Sequence, residues 1–255
     1  MFANPPRDFL YIAYKLDAEY QDDLGTTKQI VGTGFVLASG DRPILVTNRH
    51  VVDAEYFDSK YKSFRLTRLV ASGSHSDNTR YSIELNLAQP FLFPKAREND
   101  VACLVDIQAK VGAGFQMYHH INTSDLATAD EFSNHIWAGD QVYLAGYPDV
   151  HDKSEQRPIL RAGVIASDPR FNYSYSGRYE GERVAYEAMS TSGASGGPVY
   201  ATGRGIGNIH THVRRDLLVG VNAGHISNMT GHSGMSYFVK ATVIREILEG
   251  AGIAC

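Results

Sequence analysis

Residues 190–200 read STSGASGGPVY and place Ser195 among glycines and other small residues. Gly193 precedes this serine by two positions and Gly196 follows it directly. A backbone this free of side chains can aim the N–H groups of residues 193 and 195 at one point beside the serine hydroxyl. The same composition is equally typical of a tight turn. The segment therefore needs support from the rest of the chain.

Short apolar runs recur along the chain, bounded by Gly, Pro, Asn and Asp. Their length and their β-branched and aromatic content predict strands, and their number predicts an all-β sandwich or barrel. The predicted strands are the segments 30–38, 42–48, 81–88, 100–107, 141–148, 161–167, 183–190, 196–201, 217–226 and 235–241. Residues 170–182, which are polar and tyrosine-rich, predict a long exposed loop.

Clear helical periodicity is confined to the end of the chain, in ATVIREILEGAG, residues 241–252. We expect Thr242 to cap this helix and Gly250 to end it. Four apolar residues share its buried face: Val243, Ile244, Ile247 and Leu248.

Composition excludes several classes of protein. Hydrophobic residues make up 43% of the 255 residues and charged residues 20%, and the net charge of −4 gives no general attraction to nucleic acid. The two cysteines, Cys103 and Cys255, are too few and too poorly placed to predict a disulfide framework. This favours a reducing compartment. The first ten residues, MFANPPRDFL, resemble neither a signal peptide nor a membrane anchor, so we expect a cytoplasmic protein without a membrane partner.

A serine hydroxyl becomes a nucleophile only when a base takes its proton. His50, in PILVTNRHVV, follows a predicted strand, and the pKa of a histidine suits such a base. Asp100 heads the apolar run DVACLVDI and can orient the imidazole. Asp53 is too close to His50 in sequence for this role, and Asp106 lies at the far end of the run that Asp100 begins. Each residue alone is more often structural than catalytic.

Five segments occur in an order that distinguishes one family: GTGFVL, LVTNRHVV, NDVACL, GASGGPV and LVGVNAG. Together they resemble the chymotrypsin-fold serine peptidases, and most closely the peptidase domain of the Htr/Deg type. The resemblance runs from about residue 30 to residue 249.

The resemblance implies two packed six-stranded antiparallel β-barrels followed by the C-terminal helix. The first lobe would supply His50 and Asp100, and the second lobe Ser195. The expected divisions are an N-terminal lobe with a preceding extension, an interlobe connection, and a C-terminal lobe with the terminal helix: residues 1–115, 116–140 and 141–255.

The same resemblance implies a serine endopeptidase that forms an acyl-enzyme on Ser195 and holds the oxyanion with the N–H groups of Gly193 and Ser195. No cofactor is expected. The partners would be a protein or peptide substrate, with an activating protein as a further candidate. The alternative is a catalytically silent binding module of the same fold.

Activation by trypsin-type cleavage is not expected. KQIVGTG, residues 28–34, resembles the new N-terminus of an activated zymogen. In such zymogens an aspartate immediately before the serine pairs with the freed amine, whereas this chain has Ala194 there. Cleavage before Ile30 would therefore create no salt bridge.

The resemblance also places the walls of a substrate pocket at Met189, Ser190, Thr191, Asn222, Ala223, Gly224 and His225. No carboxylate stands at the expected pocket base, Met189, so a buried Lys or Arg of the substrate would be unpaired and trypsin specificity is not expected. Met189 and Ala223 favour a small or medium apolar residue, and His225 leaves Glu or Gln open.

Four histidines concentrated near the C-terminal end suggest a metal site: His210, His212, His225 and His232. No cysteine or suitably spaced acid completes a set of three or four ligands. The sequence therefore favours no metal.

Overall fold

The computed structural model describes residues 4–111, 118–204, 213–229 and 231–255. Its strands are β1 (Ala13–Gln21), β2 (Thr27–Ser39), β3 (Arg42–Thr47), β4 (Arg65–Ser74), β5 (Arg80–Glu84), β6 (Ala102–Val105), β7 (Ile121–Asn122), β8 (Gln141–Gly146), β9 (Ile159–Ile165), β10 (Arg183–Glu187), β11 (Pro198–Ala201), β12 (Leu217–Asn228) and β13 (Gly231–Lys240). Its α-helices are α1 (Arg49–Val52), α2 (Ala54–Phe57), α3 (Ala129–Asn134) and α4 (Ala241–Gly250). Short 3₁₀ turns occupy Arg7–Ile12, Ser59–Tyr61 and Thr123–Asp125.

The strands form two sheets, which confirms the all-β prediction. The second sheet is a closed barrel in the order β10-β13-β12-β11-β8-β9. The first has the order β5-β4-β1-β2-β3-β6, with β7 added in parallel to β2. We call the regions that contain these sheets the first half and the second half of the chain.

The first sheet differs from the expected six-stranded barrel. Its edge strands β5 and β6 are linked just past their ends by an isolated pairing of Leu85 with Ala109. Hydrogen bonds from Asn86 N–H to the Gln108 carbonyl (2.8 Å) and from Lys110 N–H to the Glu84 carbonyl (2.8 Å) support this pairing. The sheet is not a barrel of regular strands, because residues 86–101, which connect β5 to β6 in the chain, contain no strand and make one isolated bridge, Leu92 with Cys103 of β6.

Strands β1 and β4 were absent from the strands predicted above. Along β1 the buried residues alternate with charged or partly exposed ones, so only one face of the strand packs inward. Both strands are paired along nearly their whole length. Strand β1 lies between β2 and β4, and β4 lies between β1 and β5.

The C-terminal helix α4 buries the predicted apolar face, including Val243 and Ile247. The predicted cap is wrong. The residue that precedes the helix is Lys240, and Thr242 lies inside the first turn, where its hydroxyl donates to Glu182 Oε2 at 2.9 Å. In the described parts of the chain, no helix is long and apolar enough to cross a bilayer. Cys103 and Cys255 are free.

The two halves share one hydrophobic core. A continuous cluster of buried residues includes Phe35 and Val46 from the first sheet and Leu144 and Val199 from the barrel. Burial of this apolar surface is the main favourable contribution to holding the two halves together.

Candidate active site

Strand pairing brings His50 and Asp100 together. Strands β3 and β6 are antiparallel neighbours, and Thr47 at the end of β3 stands opposite Ala102 at the start of β6. The chain leaving β3 and the chain entering β6 therefore meet at one edge of the sheet. His50 lies three residues beyond Thr47, in the short helix α1, and Asp100 lies two residues before Ala102.

Asp100 holds His50 with both carboxylate oxygens. Oδ1 accepts the main-chain N–H of His50 at 3.0 Å, and Oδ2 lies 2.6 Å from the imidazole Nδ1. Because an ionised carboxylate can only accept, Nδ1 carries the proton and Nε2 is left as an acceptor. Asn48 fixes the same segment, since its Nδ2 donates to the Asp100 carbonyl at 2.6 Å.

The pair is largely withdrawn from solvent, with side-chain exposures of 19% for His50 and 9% for Asp100. Burial acts to lower the pKa of His50, but the charge of Asp100 and its hydrogen bond outweigh that effect, so the pKa of the imidazole is raised. Burial, together with the same charge, raises the pKa of Tyr56. Tyr56 is therefore neutral beside the pair.

Thr33 of β2 anchors the serine loop, which we define as residues 190–197. Its N–H donates to the Ser195 carbonyl at 2.7 Å, and its hydroxyl donates to the Gly193 carbonyl at 2.7 Å. The hydroxyl also accepts the N–H of Tyr147 at 3.0 Å. The carbonyl of Thr33 in turn accepts the hydroxyl of Thr47 at 2.7 Å. Thr33 was not singled out from the sequence, although it lies within the family segment GTGFVL.

We expect Thr33→Val to destabilise the protein. Valine keeps the volume and the β-branched shape, but it leaves the Gly193 carbonyl and the Tyr147 N–H without their buried partner, at a cost of about 2–4 kcal/mol in the free energy of unfolding. Thr67→Val is the matched control, because the Thr67 hydroxyl makes one exposed hydrogen bond, to the Glu19 carbonyl at 3.1 Å. Urea unfolding checks both variants. Equal losses would show that Thr33 does not anchor the loop.

At two positions of the serine loop the backbone conformation and the neighbouring atoms leave room only for glycine. Gly193 has φ +86° and Gly196 has φ +89°, a region that residues with side chains rarely adopt. A Cβ at residue 193 would overlap the Tyr147 carbonyl oxygen, and one at residue 196 would overlap the Thr33 carbonyl oxygen. The same Cβ at residue 196 would lie 3.1 Å from the backbone nitrogen of Asn48. The main chain next to Ser195 therefore packs against the segment that carries His50.

The peptide groups of the serine loop have defined directions. The Ser192 carbonyl accepts the N–H of Asp149 at 2.9 Å, and the Ala194 N–H donates to the Thr191 carbonyl at 3.1 Å. Within the described residues, the N–H groups of Gly193 and Ser195 have no acceptor. The loop therefore has two donors available for a ligand.

Asn222 of β12 supports the serine loop from within the barrel. Its buried side chain donates to the Ser190 hydroxyl at 2.8 Å and to the Ala194 carbonyl at 3.0 Å, and it accepts the Tyr186 hydroxyl at 2.8 Å. The main chain of Asn222 also accepts the Gly196 N–H at 2.8 Å. Asn222 was predicted as a pocket wall, but its side-chain nitrogen is occupied by the loop and its side-chain oxygen by Tyr186.

The remaining predicted wall residues separate into an interior and a surface group. Ser190 and Ala223 are buried, whereas His225 is exposed. Thr191 and Gly224 are partly buried. Met189 is 57% exposed and does not form the base of a buried pocket. The residues on either side of it, Ala188 and Ser190, are buried, so the side chain of Met189 points outward. The non-tryptic cleavage preference stays a prediction.

A cavity of about 300 Å³ lies beside His225, and Tyr173, Arg183 and Tyr237 contribute to its lining. The imidazole of His225 stacks on that of His232 with ring centroids 4.7 Å apart. Burial and this neighbour lower the pKa of His225.

The suggested metal site gains no support from this pair. His210 and His212 lie outside the described residues. Across the described ranges, no group of three or more His, Cys, Asp or Glu side chains could hold a metal ion.

The fold and this site define a chymotrypsin-like architecture. The sequence matches the family described as trypsin-like peptidase domain over residues 32–207, which include His50, Asp100 and Ser195. The chain belongs to this family. Among solved structures it is similar to "Crystal structure of Deg5", with a TM-score of 0.51 and 19% identity over 92% of this chain and 87% of that chain. This likeness confirms the chymotrypsin-like fold expected from the Htr/Deg resemblance, with the first sheet differing from a regular barrel as described above. No curated protein matches the sequence.

Proposed function

We propose that the protein is a serine endopeptidase in which Ser195 is the nucleophile, His50 the general base and Asp100 the group that orients the base. The observation that carries the proposal is the double hydrogen bond between His50 and Asp100, where β3 ends and β6 begins. Thr33 of β2, the strand next to β3, is in turn hydrogen-bonded to the serine loop. The membership of the trypsin-like peptidase domain family supports the same assignment.

The first half of the reaction is acylation. The unprotonated Nε2 of His50 takes the proton of the Ser195 hydroxyl as the hydroxyl oxygen attacks the carbonyl carbon of the substrate. The imidazolium formed in this step is stabilised by the Asp100 carboxylate, which remains ionised. The raised pKa of His50 makes the imidazole a stronger base for this proton.

The negative oxygen that develops on the substrate carbonyl needs donors that are already in place. The N–H groups of Gly193 and Ser195 would supply them. The hydrogen bond between the Ser192 carbonyl and the Asp149 N–H, at 2.9 Å, supports this role, because it keeps that carbonyl from rotating toward the oxyanion.

Protonated His50 next gives its proton to the leaving amine, and the C–N bond breaks to leave an acyl group on Ser195. A water molecule then repeats the sequence, with His50 as its base, and releases the acid.

Zymogen-type cleavage is not part of the proposal. Ile30 pairs with Ala18 in the middle of the β1–β2 ladder, so cleavage before it would cut a strand. Asn222 already holds the Ala194 carbonyl, the position where zymogen relatives use an aspartate.

Labelling with a fluorophosphonate tests the proposal. We expect the probe to attach covalently to the wild-type protein and to leave Ser195→Ala unlabelled, because only an activated serine attacks the phosphorus. Ser192→Ala is the matched control: this exposed hydroxyl lies three residues away in the same loop, and its loss is expected to leave labelling intact. An unlabelled wild type that also hydrolyses no peptide would instead indicate a silent binding module.

A further inference from the structure

An aromatic and basic surface adjoins His50. It consists of Lys28, Phe57 and Tyr61, and we call it the leaving-side surface. Phe57 is 54% exposed, and its ring centroid lies 6.3 Å from that of His50. The Lys28 ammonium lies 3.9 Å from the Tyr61 ring centroid and 5.2 Å from that of Phe57. A large exposed ring beside a candidate general base is apolar area that a bound chain can cover.

The positive charge of Lys28 is not balanced by an ion pair. The neighbouring charges are satisfied among themselves: Arg49 pairs with Asp53 at 2.9 Å, and Lys60 pairs with Asp58 at 2.6 Å. Within the described residues Lys28 forms no salt bridge. Its ammonium lies over the two rings and also interacts with the Tyr61 hydroxyl and, at longer range, with Asp58, which Lys60 already pairs. The leaving-side surface therefore combines one exposed ring, Phe57, and one partly buried ring, Tyr61, with a cation that can pair with a carboxylate.

The main chain of β2 links this surface to the serine loop. The N–H and carbonyl of Thr33 both point to the edge that meets the loop and Thr47. Because alternate residues of a strand face the same edge, Val31 presents its N–H and carbonyl there too. Pairing with β3 begins only at Gly34, so this edge of β2 between Thr27 and Thr33 is not covered by a described strand. At about 3.3 Å per residue, Lys28 lies about 17 Å along the strand from Thr33, a span of about five extended residues.

The chemistry decides which part of a substrate meets this surface. His50 must protonate the leaving amine, so the chain that follows the cleaved bond leaves Ser195 on the His50 side. Phe57 is the exposed ring next to His50, and Lys28 lies next to Phe57, so a chain that leaves past His50 can reach both.

We propose that the leaving-side surface selects the leaving half of a peptide substrate, with a large apolar residue next to the cleaved bond and an acidic residue within the following few positions. Phe57 and Tyr61 would cover the apolar side chain, and Lys28 would pair with the acid. This inference rests on the proposed peptidase function and adds a substrate class to it.

Acyl transfer tests the selection directly, because an added amine competes with water for the acyl-enzyme and must bind on the leaving side. The acyl donor is an N-acylated amino-acid nitrophenyl ester, and the nucleophiles are alanine amide, phenylalanine amide, Phe-Glu amide and Phe-Gln amide. We expect the ratio of aminolysis to hydrolysis to be about tenfold higher for phenylalanine amide than for alanine amide, as burial of part of a ring implies. Phe-Glu amide is expected to exceed Phe-Gln amide about threefold.

Two variants separate the parts of the surface. Phe57→Ala is expected to remove the preference for phenylalanine amide, and Lys28→Gln the preference for Phe-Glu amide. Phe171→Ala is the matched control, since Phe171 is 67% exposed in the polar loop 170–182 and lies outside the surface. This variant should keep both preferences.

The outcomes separate this inference from the proposed function. If the wild type forms the acyl-enzyme on Ser195 but accepts all nucleophiles equally, the leaving-side selection is wrong and the peptidase proposal stands. If Phe57→Ala slows acylation while nucleophile preference is unchanged, Phe57 positions His50 and does not bind substrate. Failure to acylate Ser195 at all would overturn both proposals.

Discussion

Asp100→Asn is expected to lower kcat by about 10⁴-fold, the loss known for the equivalent change in another triad enzyme. An asparagine amide can donate to Nδ1 of His50, which favours the tautomer with the proton on Nε2. That tautomer cannot accept the Ser195 proton. The variant also loses the charge that stabilises the imidazolium. Steady-state hydrolysis of a peptide substrate measures the effect.

The same variant should change the pH profile in a defined direction. Only neutral His50 acts as the base, so kcat/KM falls as the pH drops through the pKa of His50. The raised pKa places this acid limb above the ordinary range of a histidine in the wild type. In Asp100→Asn the burial that lowers the pKa remains while the opposing charge is gone, so the limb moves to lower pH.

Asp106→Asn is the matched control for the pH experiment. Asp106 follows β6 at the end opposite Asp100 and pairs with Arg42 at 2.8 Å on the surface. It is expected to keep both the rate and the position of the acid limb. An Asp100→Asn protein with a wild-type rate would remove Asp100 from the mechanism.

Gly193→Ala is expected to reduce kcat by about 10²–10³-fold, the usual cost of losing one oxyanion donor. The added methyl would overlap the Tyr147 carbonyl, so the peptide must rotate and carry the residue 193 N–H away from the reacting carbonyl. Because the donor acts mainly on the transition state, KM should change much less than kcat.

The loss of the oxyanion donor in Gly193→Ala must be separated from the effect of backbone strain alone. Gly139→Ala provides the control, because Gly139 has φ +94° but open space where a Cβ would lie. Both variants carry about 1–2 kcal/mol of left-handed backbone strain, which urea unfolding measures. Only Gly193→Ala should lose the rate. Equal loss of kcat in the two variants would indicate a general effect on stability instead of a missing donor.

The sequence could predict most strands and the pairing of His50 with Asp100, because apolar runs and family segments mark the ends of β3 and β6. It did not predict β1, where charged residues interrupt the apolar run. Lys15, Asp17 and Glu19 lie on the outer face, while Tyr14 and Leu16 are buried. The alternation of period two was the available signal, and continuous apolar runs are a poor guide to a half-exposed strand.

Other features depend on how distant segments meet. The side chains of Thr33 and Asn222 satisfy backbone atoms of the serine loop, and no local pattern identifies a hydrogen-bond partner 160 residues away, as Gly193 is from Thr33. Met189 is exposed because Ala188 and Ser190, the residues on either side of it, are the ones buried. The first sheet is not a regular closed barrel because of residues 86–101, whose irregular path leaves no periodicity to detect.

Thr33 has a consequence for how this sequence can change over generations. One residue of the first half sets the position of the peptide units around the nucleophile in the second. A substitution at residue 33 and one at residue 193 or 196 therefore act on the same few atoms, so their effects on stability should not add. Descendants of this protein should keep all three positions together, because a change at any one of them disturbs the atoms that the other two fix.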